Sequence, residues 1–164
     1  MSRPNQSDIF VTADGPLRPA DAVAALLVLD DGRYIMQLRD AIPNIFYPDH
    51  WGCFGGAVDH GEAPLDALRR ELREELEYTV ESAAEFTRFE FDFSTLGQPK
   101  VYRVYFEIQV SAPAFGRLVL HEGAAFEAIP GHELLMGRTV TPYDAFAVWM
   151  HMSRHRFATR RSHA

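Results

Sequence analysis

Residues 56–75 hold a spaced set of acids that few local structures tolerate: Gly56, then Glu62 after five residues, then Arg70-Glu71-Leu72-Arg73-Glu74-Glu75 after seven more. At about 100° per residue, Leu65, Leu68, Leu72 and Leu76 fall on one stripe of a helix, the face that packs on a core. Glu71, Glu74 and Glu75 then stand at i, i+3 and i+4 on the flank of that stripe, where like charges repel by roughly a few tenths of a kcal/mol per pair. Such a cluster gains from a compensating cation. Magnesium suits it, because that ion takes carboxylate oxygens, keeps some of its water and completes its shell with phosphate oxygens. Pro64 fits a first helical turn, and Gly52, Gly55, Gly56 and Gly61 permit a tight loop whose backbone approaches an anion or a metal. A plainer description stands beside this one: a solvated helix with Arg69, Arg70 and Arg73 paired to neighbouring glutamates.

Taken whole, the pattern resembles the box of the Nudix hydrolase family, G-x5-E-x7-R-E-U-x-E-E-x-G-U, in which U is bulky and apolar. Gly56, Glu62, Arg70, Glu71, Leu72, Glu74 and Glu75 match in register. Glu77 stands where the family has glycine and Tyr78 fills the last apolar position loosely, so the helix is expected to run on or to end differently. Trp51-Gly52-Cys53-Phe54-Gly55-Gly56 is similar to the family's W-x-(L/F)-P-G-G lead-in, with Phe54 at the proline position.

The resemblance implies an α/β (α+β) fold, a mixed β-sheet sandwiched between helices. It also implies a Mg2+-dependent hydrolase, with Mn2+ as a substitute, that cleaves the diphosphate linkage of a nucleoside diphosphate joined to another moiety. By the same resemblance Glu71, Glu74 and Glu75 are metal ligands, joined by the backbone carbonyl of Gly55 or its neighbour, and Arg70 orients an acid from behind. Glu62 is expected to act through water or loop structure ahead of direct ligation, and Arg39, Glu62 and Gly56 are the expected substrate contacts. A salt bridge to Asp40 or Asp49 is the other reading of Arg39. The general base stays open between Glu74 or Glu75 and Glu122, in His121-Glu122-Gly123, which reads equally well as an exposed loop acid. Glu107 and Glu127 are outward-facing strand positions.

Elsewhere the chain alternates as the resemblance requires. Residues 23–29 form an apolar run, Asp31-Gly32 is a hairpin signal, and residues 33–39 return. Residues 84–93 and 101–110 read as strands joined by a turn at Gly97-Gln98-Pro99, with Phe89, Phe91 and Phe93 on one face and Glu90 and Asp92 on the other. Residues 118–121 and Ala125–Ile129 are expected as a shorter strand pair, and Thr141-Pro142 opens a last helix carrying Tyr143, Phe146, Ala147 and Met150.

At 164 residues, with no repeat or composition shift, the chain is expected to be one domain, its core about 20–153, between a short N-terminal arm and a basic tail. That tail, with Arg154, Arg156, Arg160, Arg161, His151, His155 and His163, reads as frayed rather than as a phosphate or dimer contact. The net charge of −7 argues against nucleic acid as a partner. No apolar run is long enough to span a membrane and residues 1–8 lack a signal-peptide segment, so a cytoplasmic location is expected. One cysteine excludes an internal disulfide; Cys53 reads as a small core residue, and His50 and His60 belong to no zinc set. Tyr47, Trp51, Phe91 and Phe126 read as core packing ahead of base stacking. Loops 40–49 and 93–100 are the expected pocket walls. The substrate within the diphosphate class is not legible, and a homodimer stays open. The alternative function is a non-hydrolytic Nudix-fold sensor of nucleotides, against which stand the intact acids and the absence of any appended domain.

Overall fold

The computed structural model describes residues 19–43 and 45–157. Arg160, Arg161 and His163 of the expected tail lie outside the described residues.

β1 (Ala22–Leu29) is buried at seven of its eight positions, which requires cover on both faces. It pairs in parallel with β5 (Lys100–Val110) over its whole length, and β5 pairs antiparallel with β4 (Ala84–Asp92) through a bulge between Glu85 and Thr87. The other edge of β1 is shared. Its later residues pair with β2 (Tyr34–Leu38), while its beginning takes the chain that follows β3 (Trp51–Gly52), through Ala25 N–H to Phe54 O at 2.8 Å and Val23 N–H to Gly56 O at 2.9 Å. β6 (Ala125–Ile129) covers the outer edge of β2 and completes a six-stranded mixed sheet.

Alternation along β1 builds two cores. Val23, Ala25, Leu27 and Leu29 meet Ala67, Leu68, Leu72 and Leu76 of α1 (Pro64–Leu76). The three leucines are fully buried and contribute roughly 2 kcal/mol each. Ala24, Leu26 and Val28 face Leu134 of α3 (Gly131–Gly137) and Ala147 and Val148 of α4 (Pro142–Met152). The expected sandwich is therefore present, and among the described residues no helix is long and apolar enough to cross a membrane.

Four local expectations are corrected or resolved. Residues 118–121 form no strand. They follow the short α2 (Ala112–Phe115), and the N–H groups of Val119 and His121 donate to Leu76 O and Glu75 O, capping the carbonyl end of α1. A 3-10 turn, Ser94–Leu96, precedes Gly97, whose φ of 71° closes it. The last helix forms after Thr141-Pro142, and its inward face is Asp144, Ala147, Val148 and His151; of the apolar residues expected on it Ala147 is buried and Phe146 is 51% exposed. Two buried polar residues had hidden that face from an apolar count. Finally, α1 stops at once, because Glu77 adopts the left-handed conformation at φ 52° and ψ 26°, with Glu77 N–H on Arg73 O and Tyr78 N–H on Leu72 O.

His151 ties α4 to the sheet. Tyr34 Oη lies 2.7 Å from its Nδ1, and Nε2 is 2.7 Å from Arg154 and 3.3 Å from Glu107. Nε2 thus stands between a donor, the Arg154 guanidinium, and an acceptor, the Glu107 carboxylate. Burial holds the His151 pKa below the ordinary value, more strongly than Glu107 raises it.

Glu77→Gly should raise stability by about 1 kcal/mol in a denaturant titration, since glycine takes the left-handed conformation freely and the exposed Glu77–His121 pair offsets little. Because the unfolded chain binds the His151 proton more readily than the fold does, the His151 contribution to stability should fall as pH drops below about 6.5, opposite in sign to that of the raised Glu75 carboxyl. Melting curves across pH 5.5–7.5, on the order of one unfolded-state pKa unit either side, should show wild type losing stability relative to His151→Gln toward the acid end.

Candidate active site

Segment 52–56 runs from β3 onto the start of β1, and its last two residues have to be glycine for different reasons. Gly55 has φ 126° and lies so close to β1 that a Cβ would run into the Val23 carbonyl. At Gly56 a Cβ would stand about 2.5 Å from the Glu71 carboxyl carbon, so the bare backbone makes room for that side chain. From α1, Glu75 reaches the same segment: Gly55 N–H donates to Glu75 Oε2 at 2.8 Å and Gln37 Nε2 to Oε1 at 3.4 Å. The box glycines thus seat Glu71 and Glu75 against the sheet.

Seating carboxylates there perturbs them. Burial pushes the Glu75 carboxyl up to about 8, helped by the charges of Glu122 and Glu71 and opposed by the Gly55 and Gln37 hydrogen bonds. Glu71 is also raised, first by burial and then by Glu74 and Glu122, against the pull of Arg70. Arg70 is the counterweight. Its guanidinium donates to Glu62 (3.0 and 3.1 Å), Glu71 (2.7 Å), Glu74 (3.4 Å) and the Ala57 carbonyl (3.0 Å). The hydrogen bond from Arg70 holds the Glu62 carboxyl below the usual range. Glu62 therefore links the loop to α1, accepting from Asp59 N–H and from Arg70.

Among the described residues no three acids, histidines or cysteines converge as a ready metal-binding group, because Glu71 and Glu74 are turned onto Arg70. The donor chemistry still fits a hard divalent cation. Its groups are carboxylates, two of them withdrawn from water and raised chiefly by that burial and secondly by neighbouring acids, so positive charge there offsets an existing penalty. Glu74 is the outlier, with 61% of its side chain exposed. Gly55 presents its N–H to this cluster.

The remaining candidates separate. Glu122 is exposed, yet near enough for its charge to raise both Glu71 and Glu75. Arg39 makes no ion pair with Asp40 or Asp49, contrary to one reading of it: its Nε donates to the Phe46 carbonyl at 2.9 Å, while Asp40 accepts from Gly123 N–H. Cys53 is buried and its thiol is raised by burial, as a core residue should be. Trp51 is buried beneath Arg138, 5.2 Å from its ring centroid. A cleft of about 430 Å³ opens just past the C-terminal end of α1, lined by Glu77, Tyr78 and Arg117 and by none of Glu71, Glu74 and Glu75.

Asp144 and Gln37 escaped the sequence reading. Asp144 is 1% exposed and accepts from Cys53 N–H (2.9 Å), Thr141 Oγ1 (2.7 Å), Tyr105 Oη (2.7 Å) and Arg103 (3.4 Å). Burial works against the Arg103 charge, but Asp144 more than offsets it and the guanidinium stays protonated. The spacing Thr141-x-x-Asp144 resembles a helix-capping pattern, which offered a signal; the structure turns both side chains inward instead. Trp51 N–H to Thr139 O and Thr141 N–H to Trp51 O then bind the start of α4 to β3.

The family model described as NUDIX domain matches residues 18–149. A nucleoside triphosphatase NudI of Escherichia fergusonii is 44% identical over 50 residues, covering 30% of this chain and 35% of that protein. The match thus spans about a third of the relative's length. The MutT protein from Methanosarcina mazei Go1 superposes with a TM-score of 0.66 at 19% identity, over 85% of this chain and 96% of that one. The dihydroneopterin triphosphate pyrophosphohydrolase of E. coli gives 0.63 at 21%, over 80% and 93%. At these identities the two structures establish the fold.

Asp144→Ala should destabilise the protein by about 3–5 kcal/mol in chemical denaturation, because it strands the buried Arg103 charge and the Cys53 N–H.

Proposed function

The chain belongs to the Nudix family, and from that premise we propose that it is a magnesium-dependent hydrolase of a diphosphate linkage in a nucleoside di- or triphosphate derivative. One observation carries this reading: Glu75 is a buried carboxyl raised to about 8, beside Glu71 and within the field of Glu122, at the edge of a glycine loop. A diphosphate repels an incoming hydroxide. Hydrolysis therefore needs positive charge at the non-bridging oxygens and a group to take the proton of the attacking water.

Glu71, Glu74, Glu75 and the Gly55 backbone would hold Mg2+, with Mn2+ as a substitute. When bound, the ion supplies charge neutralisation and acidifies a water. Arg70 holds Glu71 and Glu74 in place and keeps Glu62 on the loop, so the acids are oriented before substrate arrives. We take Glu122 as the base, because its charge acts on both Glu71 and Glu75 from a separate loop, with Glu74 or Glu75 as the alternative. Arg39, with one N–H on the Phe46 carbonyl, contacts a substrate phosphate, and Gly56, whose bare backbone admits the Glu71 carboxyl, is the second expected contact. The likeness to the nucleoside triphosphatase of Escherichia fergusonii makes nucleoside triphosphates the first compounds to assay. A buried, unpaired Cys53 is consistent with the reducing cytoplasm.

The test is release of phosphate, diphosphate or nucleotide from a panel of nucleoside triphosphates and nucleoside-diphosphate conjugates, with Mg2+, Mn2+ or EDTA. Metal-dependent release should fall by about 100-fold or more in Glu75→Gln, which keeps the shape and removes the charge. Full activity in that variant refutes the assignment. Silence across the panel with nucleotide binding intact returns the sensor reading.

Metal binding should also release protons. Because the metal-free Glu75 carboxyl is mostly protonated at pH 7, close to one proton leaves on ligation, and affinity rises with pH up to about 8. Calorimetry in two buffers of different ionisation enthalpy measures this, and Glu75→Gln should abolish it.

A further inference from the structure

Gln37 is the one buried polar side chain of β2, 3% exposed in a strand whose other inward residues are apolar. Its side chain points to the α1 side of the sheet, as that of Ile35 does, where packing alone calls for an aliphatic group. Its Nε2 donates to the Cys53 carbonyl at 3.3 Å and to Glu75 Oε1 at 3.4 Å. Both partners are acceptors, which fixes the amide in this orientation when Glu75 is ionised. Its Oε1 faces Gly123, where an added Cβ would stand 2.9 Å away, so the loop that carries Glu122 packs directly on the same amide. The backbone beneath is held on both edges, Gln37 pairing with Gly52 of β3 and Phe126 of β6. One rigidly placed amide therefore touches the glycine loop, the buried glutamate and the Glu122 loop at once.

We propose that Gln37 is a positioning residue that fixes the Glu75 carboxylate for metal binding and sets it relative to the Glu122 loop. This rests on the assignment of Glu75 as a metal ligand under the proposed function. The Cys53 peptide completes the arrangement, since its N–H is held by Asp144 and its carbonyl by Gln37. A purely structural glutamine would need only satisfied hydrogen bonds. A positioning one also changes what Glu75 binds.

The experiment is a Mn2+ titration of the full chain by electron paramagnetic resonance, in wild type, Gln37→Met, Glu75→Gln and the double variant. Gln37→Met keeps the length of the side chain and removes its donors. It should weaken Mn2+ binding by about tenfold in the wild-type background, and by less than about twofold where Glu75 is already glutamine, because the effect runs through that carboxylate. If Gln37→Met does not fold, Gln37→Asn makes the same comparison, its amide withdrawn by about 1.5 Å. Steady-state kinetics on the substrate found in the panel should show a lower kcat at unchanged KM. Mn2+ affinity within about twofold of wild type, or an equal loss in both backgrounds, overturns the inference. Unchanged affinity in Glu75→Gln would instead overturn the proposed function, and this inference with it.

Discussion

The approach of the Gly55 backbone to the Val23 carbonyl is the constraint on which the site depends. β1 takes β2 along only part of its edge, and the vacant remainder accepts the glycine segment as an irregular extra strand through Ala25–Phe54 and Val23–Gly56. A side chain on Gly55 would push that segment off the sheet. The Gly55 N–H would then no longer meet Glu75, and the space beside Gly56 that admits Glu71 would close or shift. Backbone geometry, rather than side-chain chemistry, thus determines where the acids of α1 come to rest.

Electrostatics supplies the second layer. α1 buries Leu68, Leu72 and Leu76, and the same face carries Glu75 inward with them. The helix cannot bury its apolar stripe without partly desolvating a carboxyl. Arg70 compensates the outer acids, Glu62, Glu71 and Glu74, but no described ion pair involves Glu75. Its partners are an amide N–H and a glutamine, which orient a carboxylate without neutralising it. That imbalance is what would make the cluster receptive to the cation of the proposed reaction.

On the opposite face a second buried acid has the reverse environment. Asp144 accepts from four groups, including Arg103, and serves as a mechanical junction between α4, β3 and β5. The contrast between Asp144 and Glu75 separates the two roles of buried acids here: one fully paired and structural, one deliberately underpaired. His151 plays a similar structural part further along α4, through Tyr34, Glu107 and Arg154.

Much of this was legible in the chain itself. The spacing of Gly56, Glu62, Arg70, Glu71, Glu74 and Glu75 specified a helix, its apolar face and its acidic flank, because those are properties of a 3.6-residue period that needs no partner. The apolar run of β1 and the Asp31-Gly32 turn specified the hairpin for the same local reason. What no period reveals is which polar residue is buried. Gln37 sits in an apolar alternation and Asp144 follows a helix-start pattern, so both look locally ordinary, and the segment 118–121 looked like a strand until α1 offered it carbonyls. Glu77 as a residue has no preference for the left-handed turn it takes; only the glycine that the resembled box carries at its position pointed to one. The sequence determined the elements and the acids; the tertiary structure alone decided which acids lose their water, because desolvation and hydrogen-bond partners are set by residues far apart along the chain.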